Sequence, residues 1–425
     1  MAAAEKKKNK KIWLYVFYGA LTVGILFFFL SLNDLGEIFR VLKTADFKYV
    51  LLAILFALVY LALYPLTLCF LSKSEKTGVK SADVYSIGMT EHFFNGITPF
   101  ATGGQPFQAY ALSKKKVPVS VSTGLLIMNF LIFMAATNTY ALVSLVYFGS
   151  FVKTTAMTVI AIVGFAMNFI VFVFIFLLGT SDRLRVLIVK LMTALSKIKF
   201  LGKFLRYKIP AFNEYTLNTQ NAFKRLKADK KTAVLCYFTR LVTMFFYYAL
   251  TFFIIKALGV NVGYNTLFYV ICGSSFAITA VVFMPTPGSS GGIEFAFSSI
   301  FSALAAGASD AVSYGGMLLW RLITYYMPML ISLAFYVLFE IRTAAEKKRA
   351  ATSRGGFMTE KRENDTGDGK TADGGADCER VADGGTGADC SEKTRADCAD
   401  TEEKTEERKA DNALKAENSE DKDRL

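Results

Sequence analysis

Long apolar runs alternate with short charged segments over the first 350 residues of the chain. The six longest runs cover about 12–32, 49–71, 119–148, 154–178, 232–257 and 314–341. Each is close to the roughly 20 residues that a helix needs to cross the hydrocarbon core. Two further apolar segments, 83–113 and 265–306, are interrupted by Gly and Pro. The eight segments predict an all-α polytopic membrane protein with about six full spans and two broken, re-entrant helical hairpins.

The first interrupted segment contains Asn95–Tyr110, which reads NGITPFATGGQPFQAY. Each leg around it has about a dozen residues, too few to cross the bilayer. Lysines flank both legs, and basic loops favour the cytoplasmic side. The pattern therefore predicts a hairpin that enters from the cytoplasm and turns at the Gly-Pro motif. Irregular backbone is tolerated at this depth where it is buried in protein or lines a cavity.

The second interrupted segment repeats the motif of the first. Thr286–Phe295, TPGSSGGIEF, aligns without a gap on Thr98–Phe107, and both read T-P-x-x-[S/T]-G-G-x-x-F. The order span, span, hairpin, span occurs twice, and the second set has the opposite orientation. This pattern is typical of an inverted-topology repeat. Transporters built in this way bind substrate where the broken helices meet.

Charge divides the chain into a basic body and an acidic tail. Residues 351–425 hold 13 basic and 21 acidic residues, a net charge of −8, whereas the first 350 residues carry +21. A basic membrane body reflects cytoplasmic loops beside anionic lipid, and no nucleic-acid motif is visible. We expect a basic cytoplasmic N-terminus at 1–11, a transmembrane domain at 12–342 and a disordered, charged cytoplasmic tail at 343–425.

The basic loop 181–231 is expected on the cytoplasmic side, with a surface-lying amphipathic helix near Leu184–Leu195. Cys69, Cys236 and Cys272 lie in apolar runs, and the other three cysteines lie in the tail, so no disulfide framework is indicated. His92 is the single histidine of the chain. We therefore expect no metal site and no cofactor, and we identify no catalytic residue.

Both motifs place a new helix start next to a Gly pair, so each helix N-terminus would point toward the bilayer interior. Such an N-terminus offers N–H groups and partial positive charge to a phosphate. The alternative is that Gly and Pro only make tight turns between close-packed helices. The candidate headgroup-binding residues of the two motifs are Thr98, Pro99, Gly103, Gly104, Gln105 and Tyr110 in the first, and Thr286, Pro287, Gly291, Gly292 and Glu294 in the second.

Two arginines, Arg240 and Arg321, lie well inside predicted spans. An unpaired Arg in lipid is costly, so each should face a partner or a cavity. A guanidinium fork could bind phosphate, or it could form an ion pair with Glu91 or Glu294. The two alternatives stay open for Arg240, and phosphate binding is favoured for Arg321. Glu294, in the first turn of its helix, is most simply a capping residue, although it could also meet a cationic amine.

The sequence resembles the lysylphosphatidylglycerol synthase transmembrane-region family, the flippase-like module of bacterial multiple-peptide-resistance proteins. The resemblance rests on GITPFATGGQPFQAYAL, MPTPGSSGGIEFAF and WRLITYYMP, and it covers about residues 12–342. It implies a bacterial inner-membrane protein with both termini in the cytoplasm. Members that make lysylphosphatidylglycerol carry a large soluble aminoacyltransferase domain after this module, and this sequence has only the charged tail there.

The resemblance implies a flippase that moves an anionic or aminoacylated phospholipid between leaflets, linked to resistance against cationic antimicrobial peptides. The lipid would be phosphatidylglycerol, lysylphosphatidylglycerol or a polyprenyl lipid. One alternative is an enzyme, phosphatidylglycerol lysyltransferase, although no fold for aminoacyl transfer is visible. Another is a non-catalytic scaffold for a separate lipid synthase. Whether the protein forms a homo-oligomer stays open.

The inverted repeat predicts that the two motifs open to opposite faces of the membrane. In a variant that lacks the six native cysteines, we expect Thr102→Cys to react with an impermeant maleimide from the cytoplasmic face. Ser290→Cys should react from the outer face. Labelling of both positions from one face alone would contradict the repeat.

Overall fold

The protein is described from a computed structural model over residues 36, 40, 43–98, 101–148, 155–281, 297 and 310–365. These residues form helices and turns without a β-strand, which confirms the all-α membrane class. Five of their helical stretches are long and apolar enough to cross a membrane: Phe47–Ser74, Val119–Tyr147, Ile162–Thr180, Lys230–Ala257 and Gly315–Glu346. The predicted first span at 12–32 and the second motif lie outside the described residues.

We number the described helices in chain order. They are α1 (Phe47–Leu63), α2 (Leu66–Ser74), α3 (Ser81–Met89), α4 (Glu91–Gly96), α5 (Gly104–Lys114), α6 (Val119–Phe148), α7 (Thr155–Thr180), α8 (Asp182–Leu195), α9 (Lys199–Ala228), α10 (Lys230–Ala257), α11 (Leu267–Val281), α12 (Asp310–Arg321) and α13 (Met327–Asp365). A 3₁₀ turn, Tyr264–Thr266, precedes α11. A π-helical turn, Leu322–Tyr326, joins α12 to α13.

Helices α1 and α10 pack extensively against each other. The buried side of α1 combines the small residues Ala53 and Ala57 with Phe56 and Tyr60, whose rings contact aromatic rings of α10. Small side chains let two helix backbones approach closely, which is how helices associate in lipid. Pro65 separates α1 from α2 because it has no N–H to continue the helical ladder.

Three short helices form the first hairpin, residues 81–114. Its incoming leg is α3 and α4, which meet at Thr90, and its outgoing leg is α5. At about 1.5 Å per residue, the 11 residues of α5 extend only about 16 Å, so this leg cannot cross the bilayer. The predicted break at the first motif is therefore present. Its entry from the cytoplasm stays a prediction.

The basic segment 181–231 folds as two helices. The amphipathic helix expected near Leu184–Leu195 is present as α8, which Ser181 caps and which buries none of its residues. The following helix, α9, is 30 residues long and was not expected. It packs on α6 and α7, where glycines allow close contact: Gly124 lies against Ala222, and Gly179 lies against the ring of Phe223.

Two units divide the chain, Met1–Ser353 and Arg354–Leu425. The tail expected from 343 onward stays a prediction, and α13 ends at Asp365. The Ala, Glu, Lys and Arg residues that follow position 343 favour the helical conformation there. The rest of the tail lies outside the described residues.

A substitution at Gly104 tests how closely α4 and α5 pack in the first hairpin. A Cβ at this position would lie 2.6 Å from Cγ of Glu91 and 2.7 Å from Oδ1 of Asn95. We expect Gly104→Ala to lower the free energy of unfolding by about 1–3 kcal/mol, because α4 and α5 would have to separate. Ser113→Ala, at the exposed end of α5, is the control. Equal stability of the two variants in detergent would contradict this packing.

Candidate functional site

The described residues surround a cavity of about 230 Å³ inside the helix bundle. Much of its wall is aromatic. The aromatic side chains come from α1, α6, α10, the π-helical turn and the positions beside them: Tyr60, Tyr64, Phe133, Tyr247, Tyr248, Trp320 and Tyr325. Its polar lining includes His92, Asn95, Thr137, Asn168 and Arg321. Among the described lining residues, the guanidinium of Arg321 is the permanent charge. The cavity therefore combines an apolar wall with a buried cation.

Arg321 is the last residue of α12, and the π-helical turn begins directly after it. Its side chain is buried, and its guanidinium carbon lies 5.4 Å from the ring centroid of Tyr325. The Tyr325 hydroxyl donates a hydrogen bond of 2.8 Å to the carbonyl of Gly96, next to the first motif. Single π-helical turns occur frequently at functional sites. This turn joins the WRLITYYMP segment to the tip of the first hairpin.

The backbone at the tip of the first hairpin is bonded to nearby side chains. The N–H of Gly103 donates to Oγ1 of Thr98 at 2.9 Å, and the N–H of Gly104 donates to Oδ1 of Asn95 at 2.8 Å. Thr98 in turn donates to the carbonyl of Phe94. The N–H groups of both glycines are therefore satisfied within the protein, whereas the sequence interpretation offered them to a phosphate. The missing side chains let α5 contact α4, which supports the close-packing alternative.

A buried carboxylate, Glu91, joins the two legs of the first hairpin. Its Oε2 accepts a hydrogen bond of 3.1 Å from Nε2 of Gln108, and its Oε1 accepts one of 3.5 Å from Nδ2 of Asn95. Gln108 is fully buried and also donates to the carbonyl of Gly88. Gln108 was not among the candidates. It is the second amide of α5, after Gln105, and it lies four residues after the Gly pair.

Arg240 is 1% exposed and lies behind the cavity wall. Its Nη2 donates to Oδ1 of Asn129 at 2.8 Å, and its guanidinium carbon lies 4.5 Å from the ring centroid of Tyr64. Nε and Nη1 have no hydrogen-bond partner within the described part of the chain. The ring of Tyr64 also packs edge-on against His92, the neighbour of Glu91 in the chain. The ion pair with Glu91 stays a prediction, and Arg240 is not among the residues that line the cavity.

His92 has a structural partner. Its Nε2 lies 2.9 Å from the hydroxyl of Tyr60, and its ring packs edge-on against Tyr60 and Tyr64. Its Nδ1 is buried, with no hydrogen-bond partner among the residues described. The lone histidine is thus held by a tyrosine at the cavity wall.

Apart from Arg240, which lies behind the cavity wall, the candidate residues separate into three groups. Arg321 lines the cavity, and Thr98, Gly103, Gly104 and Gln105 belong to the hairpin tip, whose Asn95, Gly96 and Ala101 line it. Tyr110 is 54% exposed, and the Nζ of Lys114 lies 4.6 Å from its ring centroid, so it belongs to the outer surface. The remaining candidates lie outside the described residues: Pro99, Thr286, Pro287, Gly291, Gly292 and Glu294.

Ion pairs hold the base of the first hairpin. Lys114 contacts Glu340 of α13 at 2.6 Å, and Lys115 contacts Asp83 at 3.1 Å and Glu346 at 2.7 Å. Burial acts to lower the pKa of Lys115, but its hydrogen bonds to Glu346 and Asp83 outweigh burial and raise the pKa above the ordinary value. Lys115 therefore stays charged and links both legs of the hairpin, through α3 and α5, to α13.

Apolar spans, a broken hairpin and a cavity with a buried cation define a polytopic α-helical membrane protein with an internal polar site. The family model described as lysylphosphatidylglycerol synthase TM region matches residues 15–332. The chain belongs to this family, as the two hairpin motifs predicted. No curated protein matches the sequence.

Ser332 tests how the hairpin is held to α13. Its fully buried hydroxyl accepts from the N–H of Phe93 and donates to the carbonyl of Met89. Ser332→Ala should lower the free energy of unfolding by about 1–3 kcal/mol, because it leaves a buried N–H unsatisfied. Ser86→Ala is the matched control, since this buried serine donates to a carbonyl of its own helix. If the control loses as much stability as Ser332→Ala, the contact with α13 is not what the measurement detects.

Proposed function

We propose that this protein binds the headgroup of an anionic or aminoacylated phospholipid, of the phosphatidylglycerol or lysylphosphatidylglycerol type, and moves the lipid between leaflets. The observation that carries the proposal is Arg321, a buried guanidinium at a cavity inside the bundle. Arginines that face a cavity within membrane-spanning segments commonly mark the path of a substrate or ion. The planar guanidinium fork of Arg321 suits a phosphate.

The size of the cavity supports a headgroup rather than a whole lipid as the bound part. Its volume, about 230 Å³, is below the roughly 300–1,000 Å³ of pockets that enclose drug-sized ligands. The acyl chains would therefore remain in the bilayer. The exposed apolar surface of α7, which includes Ile162, Val163 and Ile170, is suited to lipid contact.

The aromatic wall is consistent with an aminoacylated headgroup as well. Tyrosine and tryptophan faces attract ammonium groups, and Tyr247, Tyr248 and Trp320 line the cavity on which Arg321 lies. A headgroup with both phosphate and amine would have a partner for each. Export of such a lipid to the outer leaflet of a bacterial inner membrane would reduce negative surface charge and so the binding of cationic antimicrobial peptides.

The description of the family names a synthase, so lysyl transfer to phosphatidylglycerol is the second candidate. It predicts that the purified chain forms lysylphosphatidylglycerol from lysyl-tRNA. A scaffold for a separate synthase predicts co-purification with that enzyme and no lipid movement.

Lipid movement is testable in proteoliposomes with fluorescent phosphatidylglycerol and lysylphosphatidylglycerol. We expect the wild type to move at least one of them, and Arg321→Gln to lose the activity at least tenfold, because the phosphate would enter the cavity without a cation. Dithionite quenching of outer-leaflet probe measures the rate. If the wild type moves neither lipid, the transport proposal fails, and the lysyl-tRNA assay then tests the second candidate.

A pair of threonine variants tests whether the cavity itself is the site. Thr137 lines the cavity, whereas Thr193 lies on the exposed helix α8, and the hydroxyl of each donates to a carbonyl of its own helix. Thr137→Phe should fill the cavity and stop transport, while Thr193→Phe should leave it unchanged. Equal transport by both variants would show that lipid moves by another route.

A further inference from the structure

Glu91 is a buried carboxylate directly behind the cavity wall. It is 9% exposed, and its immediate neighbours in the chain and in space, His92 and Asn95, both line the cavity. Its oxygens accept hydrogen bonds from the amides of Gln108 and Asn95. Amide donors stabilise a carboxylate and tolerate its neutral form, because an amide can also accept a hydrogen bond. This environment permits Glu91 to exist in either charge state.

Among the described residues, Arg240 is the buried positive charge behind this part of the cavity wall. The titratable or charged groups described around Glu91 are Tyr64 from the end of α1, His92 with its partner Tyr60, and Arg240 from α10, whose guanidinium carbon lies 4.5 Å from the ring centroid of Tyr64. An ionised Glu91 offsets the charge of Arg240. When Glu91 takes up a proton, the charge of Arg240 is no longer compensated, and an uncompensated buried charge is strongly unfavourable.

We propose that Glu91 is a proton-binding site coupled to the anion site at Arg321. Protonation of Glu91 removes a negative charge beside the cavity, so the field of Arg240 adds to that of Arg321. An anionic headgroup then replaces the lost charge. Proton and anion bind together, and each raises the affinity for the other by the same factor.

The inference rests on the proposed anionic headgroup and adds an energy source. The proton comes from solvent, binds a carboxylate oxygen of Glu91, and returns to solvent when the anion leaves. A proton gradient across the membrane would then drive the lipid in the direction of proton flow. Intramembrane carboxylates carry protons in this way in pumps and transporters.

Binding of fluorescent phosphatidylglycerol to the full chain in nanodiscs of neutral lipid tests the coupling. The lipid phosphate stays ionised from about pH 8 to about pH 5, the range of the titration. We expect the affinity of the wild type to rise about tenfold on acidification, within the usual range of coupling between sites. Glu91→Gln, which imitates the protonated state, should bind tightly with no dependence on pH. His92→Gln should keep the dependence of the wild type.

The matched control is Glu75→Gln. Glu75 is a carboxylate at the end of α2, paired with Arg225 at 2.6 Å and absent from the cavity lining. This variant should keep the dependence on pH. The inference is overturned if Glu91→Gln keeps that dependence, if His92→Gln loses it, or if the wild type binds the lipid equally at every pH. The last result would leave the proposed function intact. No binding of phosphatidylglycerol at any pH would overturn the inference, and no binding of lysylphosphatidylglycerol either would overturn the proposed function.

A second measurement does not depend on folding of the Glu91 variant. When phosphatidylglycerol is added to the wild type in weak buffer with an indicator dye, reciprocity requires net proton uptake. Lipid binding without uptake of protons would also overturn the inference.

Discussion

Backbone polar groups at membrane depth must find partners inside the protein, because lipid offers none. The first hairpin meets this requirement with side chains. Thr98 and Asn95 accept from the N–H groups of the Gly pair, and Ser332 accepts from that of Phe93. These bonds permit a chain reversal where a continuous helix would otherwise be needed. The reversal brings the hairpin tip to the wall of a cavity, so the site depends on them.

The same requirement governs the two buried arginines, and the structure meets it in two ways. Arg240 has its neutral partner Asn129 and the face of Tyr64. Arg321 instead lies at the cavity itself, beside Tyr325. Because one charge is embedded in protein and the other borders open space, the second is the natural contact for a ligand. The first is suited to tuning the field that the ligand meets.

Features that depend on length and local composition could be predicted from the sequence: five of the six spans, the break at the first motif, the amphipathic helix α8 and the family. Features that depend on distant partners could not. The bond between Phe93 and Ser332 joins residues 239 positions apart. Charge density made the segment of α9 resemble a loop, although Ala222 and Phe223 pack closely on glycines of α6 and α7. The bonds of the Gly pair to Thr98 and Asn95 could not be predicted either, and an anion contact at this pair stays a prediction.

The distribution of bonds also indicates how the first hairpin can move. Its tip is held together by internal bonds, Gly103 to Thr98 and Gly104 to Asn95. Contacts with α13 and the π-helical turn form a separate set: bonds at Ser332 and Tyr325, ring contacts with Tyr336, and the ion pairs of Lys114 and Lys115. Breaking the internal bonds would leave backbone groups without partners. Breaking the second set would only separate the hairpin from α13 and the π-helical turn. Motion that exposes the cavity should therefore carry the hairpin as a rigid body, with the π-helical turn as the adjacent element that adjusts.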